Sequence, residues 1–553
     1  MIHCILVEAA LIPALRFRSV PEFLPKCAQS HGLKSRVLRD EKYEKGYPRT
    51  LMNLNSLIML LFVTVSVIIY YLIPKRFQPF LLLILSIIYY ISNGFGAFFF
   101  ILTTAVTTYL AGLALSRENE DNKRRVITAL TLIFNFGILF VLKYTNFIIL
   151  NLEAFLPGKL RTFEWMLPLG ISFYTFQSMG YLLDVCWKRI EAEKSFFRFA
   201  LFVSFFPQIM QGPIGRYGKL RKTLFAPHSF DRERTETAIL KILWGFFKKM
   251  VLADNALYFV NAAFNDYERY PGLAVFAVLF YSIQLYGDFS GGIDVVTGIA
   301  LLFGVELDPN FRQPFFATSI ADFWHRWHIT LGTWMKDYVF YPISLSGWMG
   351  RFRKWCRKHL PKQTARALPV AVANILVFLV VGIWHGAAWK YIVYGLYNGL
   401  IIGISELLAV HYKNAKTKLH INDKSQGWKV FMILRTFLLV NISWFFDNAA
   451  TVPQAFAMMK NAVTHFTPSL LLSVPVGPGG GTGLTKYALI ILAFGCILLF
   501  IVSFLIEKGV NIPAYLLQKP FIVRIFVYLL LFIMLPALGQ PPVQTGGFIY
   551  AQF

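Results

Sequence analysis

Apolar runs recur along the chain from about residue 58 to residue 538, separated by short polar and basic segments. They fall at about 58–73, 79–92, 97–115, 126–150, 166–187, 196–212, 238–262, 272–287, 292–306, 368–386, 389–410, 430–446, 485–506 and 521–538. A helix needs about 20 apolar residues to cross a bilayer, and by that measure roughly ten to twelve of these segments cross. Hydrocarbon offers the backbone no hydrogen-bond partner, so the pattern predicts an all-α, polytopic membrane protein. Pro168-Leu-Gly170, Pro207, Gly212-Pro213 and the run Gly287 to Gly292 interrupt several segments. Such breaks survive at membrane depth only around a protein-lined or wet cavity, so broken or re-entrant helices are expected in place of a plain bundle. No internal repeat is visible.

The first 51 residues differ from the rest. They are mixed and basic, with an apolar start, Cys4 to Leu15, too short to span and without a clear cleavage site. Residues 1–51 are expected to be a poorly ordered extension, or to lie upstream of the true start, and residues 52–553 to form the membrane domain. The stretch Gly477-Pro-Gly-Gly-Gly-Thr-Gly483 lacks the Gly-Lys-Ser/Thr ending and the preceding strand of a phosphate loop, and predicts a flexible connection.

Composition agrees with the pattern: 56% of residues are hydrophobic, 15% are charged, and the mean hydropathy is +0.54. A soluble core of this length does not need so much apolar surface. The net charge of +25 would suggest nucleic acid in a soluble protein. Here the basic residues sit in loops between apolar runs, at Lys123-Arg124-Arg125, Lys219 to Lys222, Lys248-Lys249 and Arg351 to Arg366. That is the positive-inside pattern of cytoplasmic loops, which excludes nucleic acid and makes anionic lipid headgroups the natural partner. The five cysteines, Cys4, Cys27, Cys186, Cys356 and Cys496, include no CxxC spacing, so neither a disulfide framework nor a zinc site is expected.

Three segments concentrate polar groups in apolar surroundings. In Tyr286-Gly-Asp-Phe-Ser-Gly-Gly-Ile-Asp294, intramembrane Asp288 and Asp294 flag function, with helix-holding ion pairs to Lys or Arg as the structural alternative. Around Asn310 and through Asp322-Phe-Trp-His-Arg-Trp-His328, a helix would put His325 and His328 on one face and Trp324 and Trp327 together. An interfacial aromatic-basic helix is the plainer account, and no third ligand argues for a metal. His385 closes the run Leu368 to Trp384 and precedes Gly386-Ala387. An imidazole at the end of a membrane-length helix needs a partner, a cavity or a chemical task.

The ordered set of motifs is similar to the membrane-bound O-acyltransferase family. It comprises Tyr286-Gly-Asp-Phe-Ser-Gly291, Gly298-Ile-Ala-Leu-Leu-Phe-Gly304, Asn310-Phe, Phe323-Trp-His-Arg-Trp-His-Ile-Thr-Leu-Gly-Thr-Trp334 and Gly382-Ile-Trp-His-Gly-Ala387. Leu167-Pro-Leu-Gly-Ile-Ser-Phe-Tyr-Thr-Phe-Gln177, Phe206-Pro-Gln-Ile-Met-Gln-Gly-Pro-Ile214 and the terminal Gly547-Phe-Ile-Tyr-Ala-Gln-Phe553 add to it. Within the family the chain resembles the bacterial branch that contains the membrane subunit of alginate O-acetylation. The resemblance runs from about Met52 to Phe553. It implies a multi-helix fold around a central funnel, with His385 in the place of the family's near-invariant histidine and His328 in that of its second. Two positions depart from the branch: His325 stands where Arg is frequent, and Asp447 where the alginate subfamily carries Arg. Both bear on the acceptor and not on the reaction class.

The resemblance further implies acyl transfer from a cytoplasmic thioester, acetyl-CoA by preference, to a hydroxyl of an exported or cell-surface glycan. The donor is a substrate, and no bound cofactor, cofactor-binding residue or metal is expected. A thioester carries a good leaving group, so the main task is to activate an oxygen nucleophile. His385 is the candidate general base and His328 an orienting or charge-stabilising group. Asp288 is a candidate support for one of the imidazoles, with Trp384, Trp327, Asn310 and His325 around them. A separate extracytoplasmic SGNH-like transferase is the expected partner, and the bacterial cytoplasmic membrane the expected location. Alternatives are D-alanyl transfer from a carrier protein to teichoic acid, a lipid acceptor, and a non-enzymatic transporter or flippase for a polysaccharide precursor.

Overall fold

In the computed structural model of the chain, residues 52–153, 155–156, 160–163, 165, 167–473 and 485–540 are described. The expectations for residues 1–51, for the glycine-rich stretch 477–483 and for the terminal motif 547–553 lie outside the described residues. Among the described residues the chain is helical, with no strand and one isolated antiparallel bridge, Phe311 to Trp327.

The helices that build and flank the site are numbered in chain order: α1 (Phe95–Arg117), α2 (Asp121–Leu152), α3 (Ile171–Cys186), α4 (Arg232–Phe246), α5 (Asp254–Asn265), α6 (Ala274–Leu302), α7 (Ile320–Arg326), α8 (Ile329–Met335), α9 (Gly347–His359), α10 (Lys362–His385), α11 (Trp389–Leu407), α12 (Gln426–Asn448), α13 (Lys486–Glu507) and α14 (Phe521–Leu538). Among the described residues, seven helices are long and apolar enough to cross a membrane: α1, α2, α6 with the turn before it, α10, α12, α13 and α14. An eighth span arises if α11 is joined to Ala409–Lys418, from which it is bent by 59°. The peripheral helices present wide apolar faces outward, as at Ile497, Phe500 and Ile501 of α13 and Ile522, Phe526 and Ile533 of α14, which suits contact with lipid tails.

Seven or eight spans are fewer than the ten to twelve expected, because several apolar runs do not form single rods. The run at 196–212 is two short helices, Phe196–Ser204 and Phe206–Gln211, with Pro207 opening the second. Gly170, left-handed at φ 69°, starts α3. The run at 238–262 holds a π-helical turn, Phe247–Ala253, between α4 and α5.

The glycines at 287–292 behave in the opposite way to expectation: they do not break the chain, and α6 runs through them without interruption. Their role is close approach. A Cβ at Gly287 would lie 2.7 Å from the Lys248 carbonyl oxygen, and one at Gly291 would lie 2.7 Å from that of Gly245. Hydrogen side chains thus let α6 lie backbone-to-backbone against the α4–α5 segment. α6 is buried along most of its length and forms the centre of the molecule. The same device joins α10 to α11, where a Cβ on Gly382 would collide with the Tyr391 carbonyl and one on Gly395 with that of Phe378.

Candidate active site

The first imidazole is placed by a helix break. Ser319 caps α7 by accepting from the Asp322 backbone N–H (3.0 Å), and Asp322 reaches back to the Thr318 N–H (3.0 Å). The helix ends at Arg326, whose guanidinium pairs with Asp322 (2.9 Å) and with Glu507 of α13 (2.8 Å). Trp327 is extended, and His328 adopts left-handed φ 48°, ψ 51° as the first residue before α8. His325 and His328 therefore do not share a helical face, as their spacing suggested. His325 is exposed, whereas His328 is 2% exposed, because the chain turns between them. The Trp324–Trp327 pairing fails for the same reason. Trp327 is buried against Phe311 and Phe323, and the Trp324 indole N–H donates to Asn398 Oδ1 (3.1 Å).

A short stretch of extended chain holds the break in place. The Arg312 N–H donates to the Arg326 carbonyl (2.9 Å) and the Ile329 N–H to the Asn310 carbonyl (3.0 Å). The Asn310 side-chain oxygen accepts from the Thr330 N–H (3.0 Å) and the Thr330 hydroxyl (2.9 Å), and lies 3.2 Å from His328 Nδ1. A backbone N–H can only donate, so the amide atom facing it is oxygen. His328 Nδ1 must then carry the proton it donates to that oxygen, which leaves the lone pair of the neutral ring on Nε2. Left-handed backbone at a non-glycine residue costs about 1–3 kcal/mol and persists only where surrounding contacts impose it.

The second imidazole ends α10. A helix C-terminus leaves carbonyls without intrahelical partners, and here α2 supplies donors. Lys143 Nζ donates to the Trp384 carbonyl (2.6 Å), and the Tyr144 hydroxyl donates to that of Ile383. His385 is 9% exposed, and its ring lies 6.2 Å from Tyr391 and 5.5 Å from Tyr394, both on α11. Its Nε2 is buried and makes no hydrogen bond to another described residue. Trp384 joins the two histidines, with its ring 5.8 Å from that of His328 and 5.2 Å from that of His385. His385 therefore points into the protein beside His328 and not into lipid. The aromatic wall continues from Tyr394 to Trp444 (6.1 Å) and from Trp444 to Trp327 (5.4 Å).

Asp288 belongs to a different cluster. Its Oδ1 lies 2.6 Å from Lys249 Nζ, which also holds Asp254 (2.9 Å), while Lys248 Nζ pairs with Asp294 (2.8 Å) and donates to the Ser290 hydroxyl (2.9 Å). Both lysines come from the buried π-helical turn and not, as expected, from a cytoplasmic loop, so the two aspartates of α6 take the ion-pair alternative, tying α6 to the α4–α5 segment. Asp447 accepts from the Tyr281 hydroxyl (2.7 Å), and the Asp447 carbonyl accepts from Lys390 Nζ (2.9 Å). Among the described residues, no group of three or more His, Cys, Asp or Glu side chains could hold a metal ion.

A cavity of about 510 Å³ has Trp384 in its wall, but neither His328 nor His385 lines it. It runs along α2 from Trp187, Tyr338 and Pro342 to Tyr144, Ile383 and Trp384, and its walls are almost wholly apolar. Lys143 and Tyr144, which fix the end of α10, were not anticipated from the sequence. The signal was present: Lys143 lies inside the apolar run 126–150, where an unexplained cation flags a function.

A buried pair of histidines from separate segments, walled by aromatics in a many-helix membrane bundle, defines the class. The profile of MBOAT, the membrane-bound O-acyltransferase family, matches residues 88–353. The chain is 30% identical over 385 residues to the peptidoglycan O-acetyltransferase of Helicobacter pylori, covering 65% of this chain and 68% of that protein. It is 32% identical over 415 residues to the protein named probable alginate O-acetylase AlgI of Pseudomonas aeruginosa, covering 73% and 74%. It is 31% identical over 243 residues to the teichoic acid D-alanyltransferase of Bacillus subtilis, covering 42% and 58%. The chain belongs to the membrane-bound O-acyltransferase family. It is a multi-pass membrane enzyme that transfers acyl groups to hydroxyls, and the transporter alternative falls away.

Proposed function

We propose that this enzyme takes an acetyl group from acetyl-CoA and passes it toward a hydroxyl of a cell-surface or exported polysaccharide, with His385 as general base. The observation that carries this is the buried His385 Nε2, without a hydrogen bond to another described residue, across Trp384 from His328. His385 Nε2 takes the proton of the attacking hydroxyl as its oxygen bonds to the thioester carbonyl carbon. The carbon–sulfur bond then breaks, and the departing thiolate takes the proton from the imidazolium. The Trp384 indole N–H and the Asn310 amide N–H are buried donors without a hydrogen bond to another described residue. They are suited to the negative charge that develops on the carbonyl oxygen. His328, with its proton held on Nδ1, presents Nε2 to the same region and orients the reacting groups. Asp288 acts through packing, not by orienting an imidazole.

The relatives named for acetylating peptidoglycan and alginate support a glycan acceptor. Handover to an exported SGNH-like transferase and residence in the bacterial cytoplasmic membrane complete the proposal. D-alanyl transfer is the second reading, favoured by the shorter teichoic acid match. Purified His385→Ala protein, supplied with acetyl-CoA or with a D-alanyl carrier, tests both the donor and the base. Thioester consumption should be lost with membrane abundance unchanged. Turnover of native rate in this variant removes His385 from its role, and turnover by the native protein with the carrier alone replaces acetyl by D-alanyl.

A further inference from the structure

Helix α9 carries three different faces in 13 residues. Met349 and Cys356, seven apart, are buried against the body of the protein. Trp348, Phe352, Trp355 and His359 follow the i, i+4, i+7, i+11 spacing of a second face. Their rings form a stack, with Phe352 and Trp355 6.1 Å apart and Trp355 and His359 5.1 Å apart. Trp348 is 43% exposed and Trp355 50%, so the described residues leave much of this face open, and Leu345 just before the helix is 77% exposed. Arg351, Lys354, Arg357 and Lys358 occupy the third face, all exposed.

Lys362 and Arg366, exposed in the first turns of α10, extend the positive surface. No acidic residue occurs between Asp337 and Glu406. None of these six cations forms an ion pair with another described residue. Only Leu360 and Pro361 separate α9 from α10, which then enters the membrane, so α9 is tied to the end of a span. A soluble acidic partner would satisfy the charges and leave the ring stack in water. A bilayer surface satisfies both, since indoles favour the headgroup layer and basic side chains favour anionic phosphates.

From this we infer that α9 lies in the headgroup layer and binds anionic phospholipid, with its ring face toward the acyl chains and its basic face on the phosphates. The site is distinct from the histidine pair, which stands at the other end of α10. Full-length protein in detergent is titrated with phosphatidylglycerol, with phosphatidylcholine of the same chains, and with glycerophosphoglycerol, the headgroup without chains. Retained lipid is counted by native mass spectrometry. Phosphatidylglycerol should bind about tenfold more tightly than phosphatidylcholine, as several cation–phosphate contacts allow. The preference should vanish in the Arg351→Gln/Lys354→Gln/Arg357→Gln/Lys358→Gln variant and weaken in Trp348→Ser/Trp355→Ser, and the free headgroup should not displace the lipid. Equal retention of the two lipids by the native protein overturns the inference, and this comparison needs no variant to fold. Displacement by the headgroup alone overturns it in favour of a free-phosphate site. Tighter binding of a soluble polyglutamate peptide than of either lipid assigns the helix to an acidic protein instead.

Discussion

Replacing Asn310 by Ala removes the acceptor shared by the Thr330 N–H, the Thr330 hydroxyl and His328 Nδ1, at 2.9–3.2 Å. Two of these donors are buried ring or backbone N–H groups with no freedom to turn elsewhere, and each orphaned donor costs about 1–3 kcal/mol. The fold should lose about 2–6 kcal/mol, read as a lower melting temperature in detergent. Activity should fall further than stability suggests. Without its acceptor, His328 exchanges tautomers, and its left-handed backbone loses one of the contacts that impose it. A shift of about 1 Å in a reacting group can cost on the order of 10²-fold in rate, and a loss of that size is expected per folded molecule. Asn310→Asp keeps an oxygen acceptor for these donors and should recover most of the lost stability, but not the turnover, because it lacks the amide N–H proposed to face the carbonyl oxygen. The assay is acetyl transfer normalised to the monodisperse, folded fraction. Native turnover by folded Asn310→Ala protein, or an equal drop in melting temperature in the Ala and Asp variants, refutes the reasoning.

Lys143→Met removes the donor to the Trp384 carbonyl; turnover should fall about tenfold with at most about 1–3 kcal/mol of stability lost, read by parallel activity and melting measurements. Lys249→Met leaves Asp288 and Asp254 buried without their cation and should destabilise the protein by about 3–5 kcal/mol, whereas an unchanged melting temperature would mean that the cluster does not hold α6. His325→Ala, at an exposed position outside the histidine pair, should leave both turnover and melting within the error of the native protein.

Much of the plan was legible in the sequence because lipid imposes it. Backbone satisfaction forces helices, and their apolar length marks the spans. The position of His385 at the end of a span could be read from an imidazole closing such a run. What could not be read depends on contacts between distant segments. The glycines at 287–292 look like a break in one dimension, yet their meaning is the approach of Lys248 and Gly245, some 40 residues upstream. His325 and His328 have helical spacing, but the pairing of residues 310–312 with 326–329 stops the helix between them. Asp288 is an intramembrane acid whose lysine arrives on a π-helical turn that no local pattern announces. Asn310 was marked as part of a motif, while its work as a shared acceptor depends on Thr330, 20 residues on.

The 24 residues of α10 make it about 36 Å long at 1.5 Å per residue, with the cationic cluster at one extremity and His385 at the other. That rod works as a gauge. Whatever fixes the depth of its charged extremity also fixes how far the His385 imidazole, the proposed base, stands from the opposite leaflet. Catalysis should therefore respond to bilayer thickness, and lipids with longer or shorter chains would move the chemistry toward or away from the far water without touching a single side chain around it.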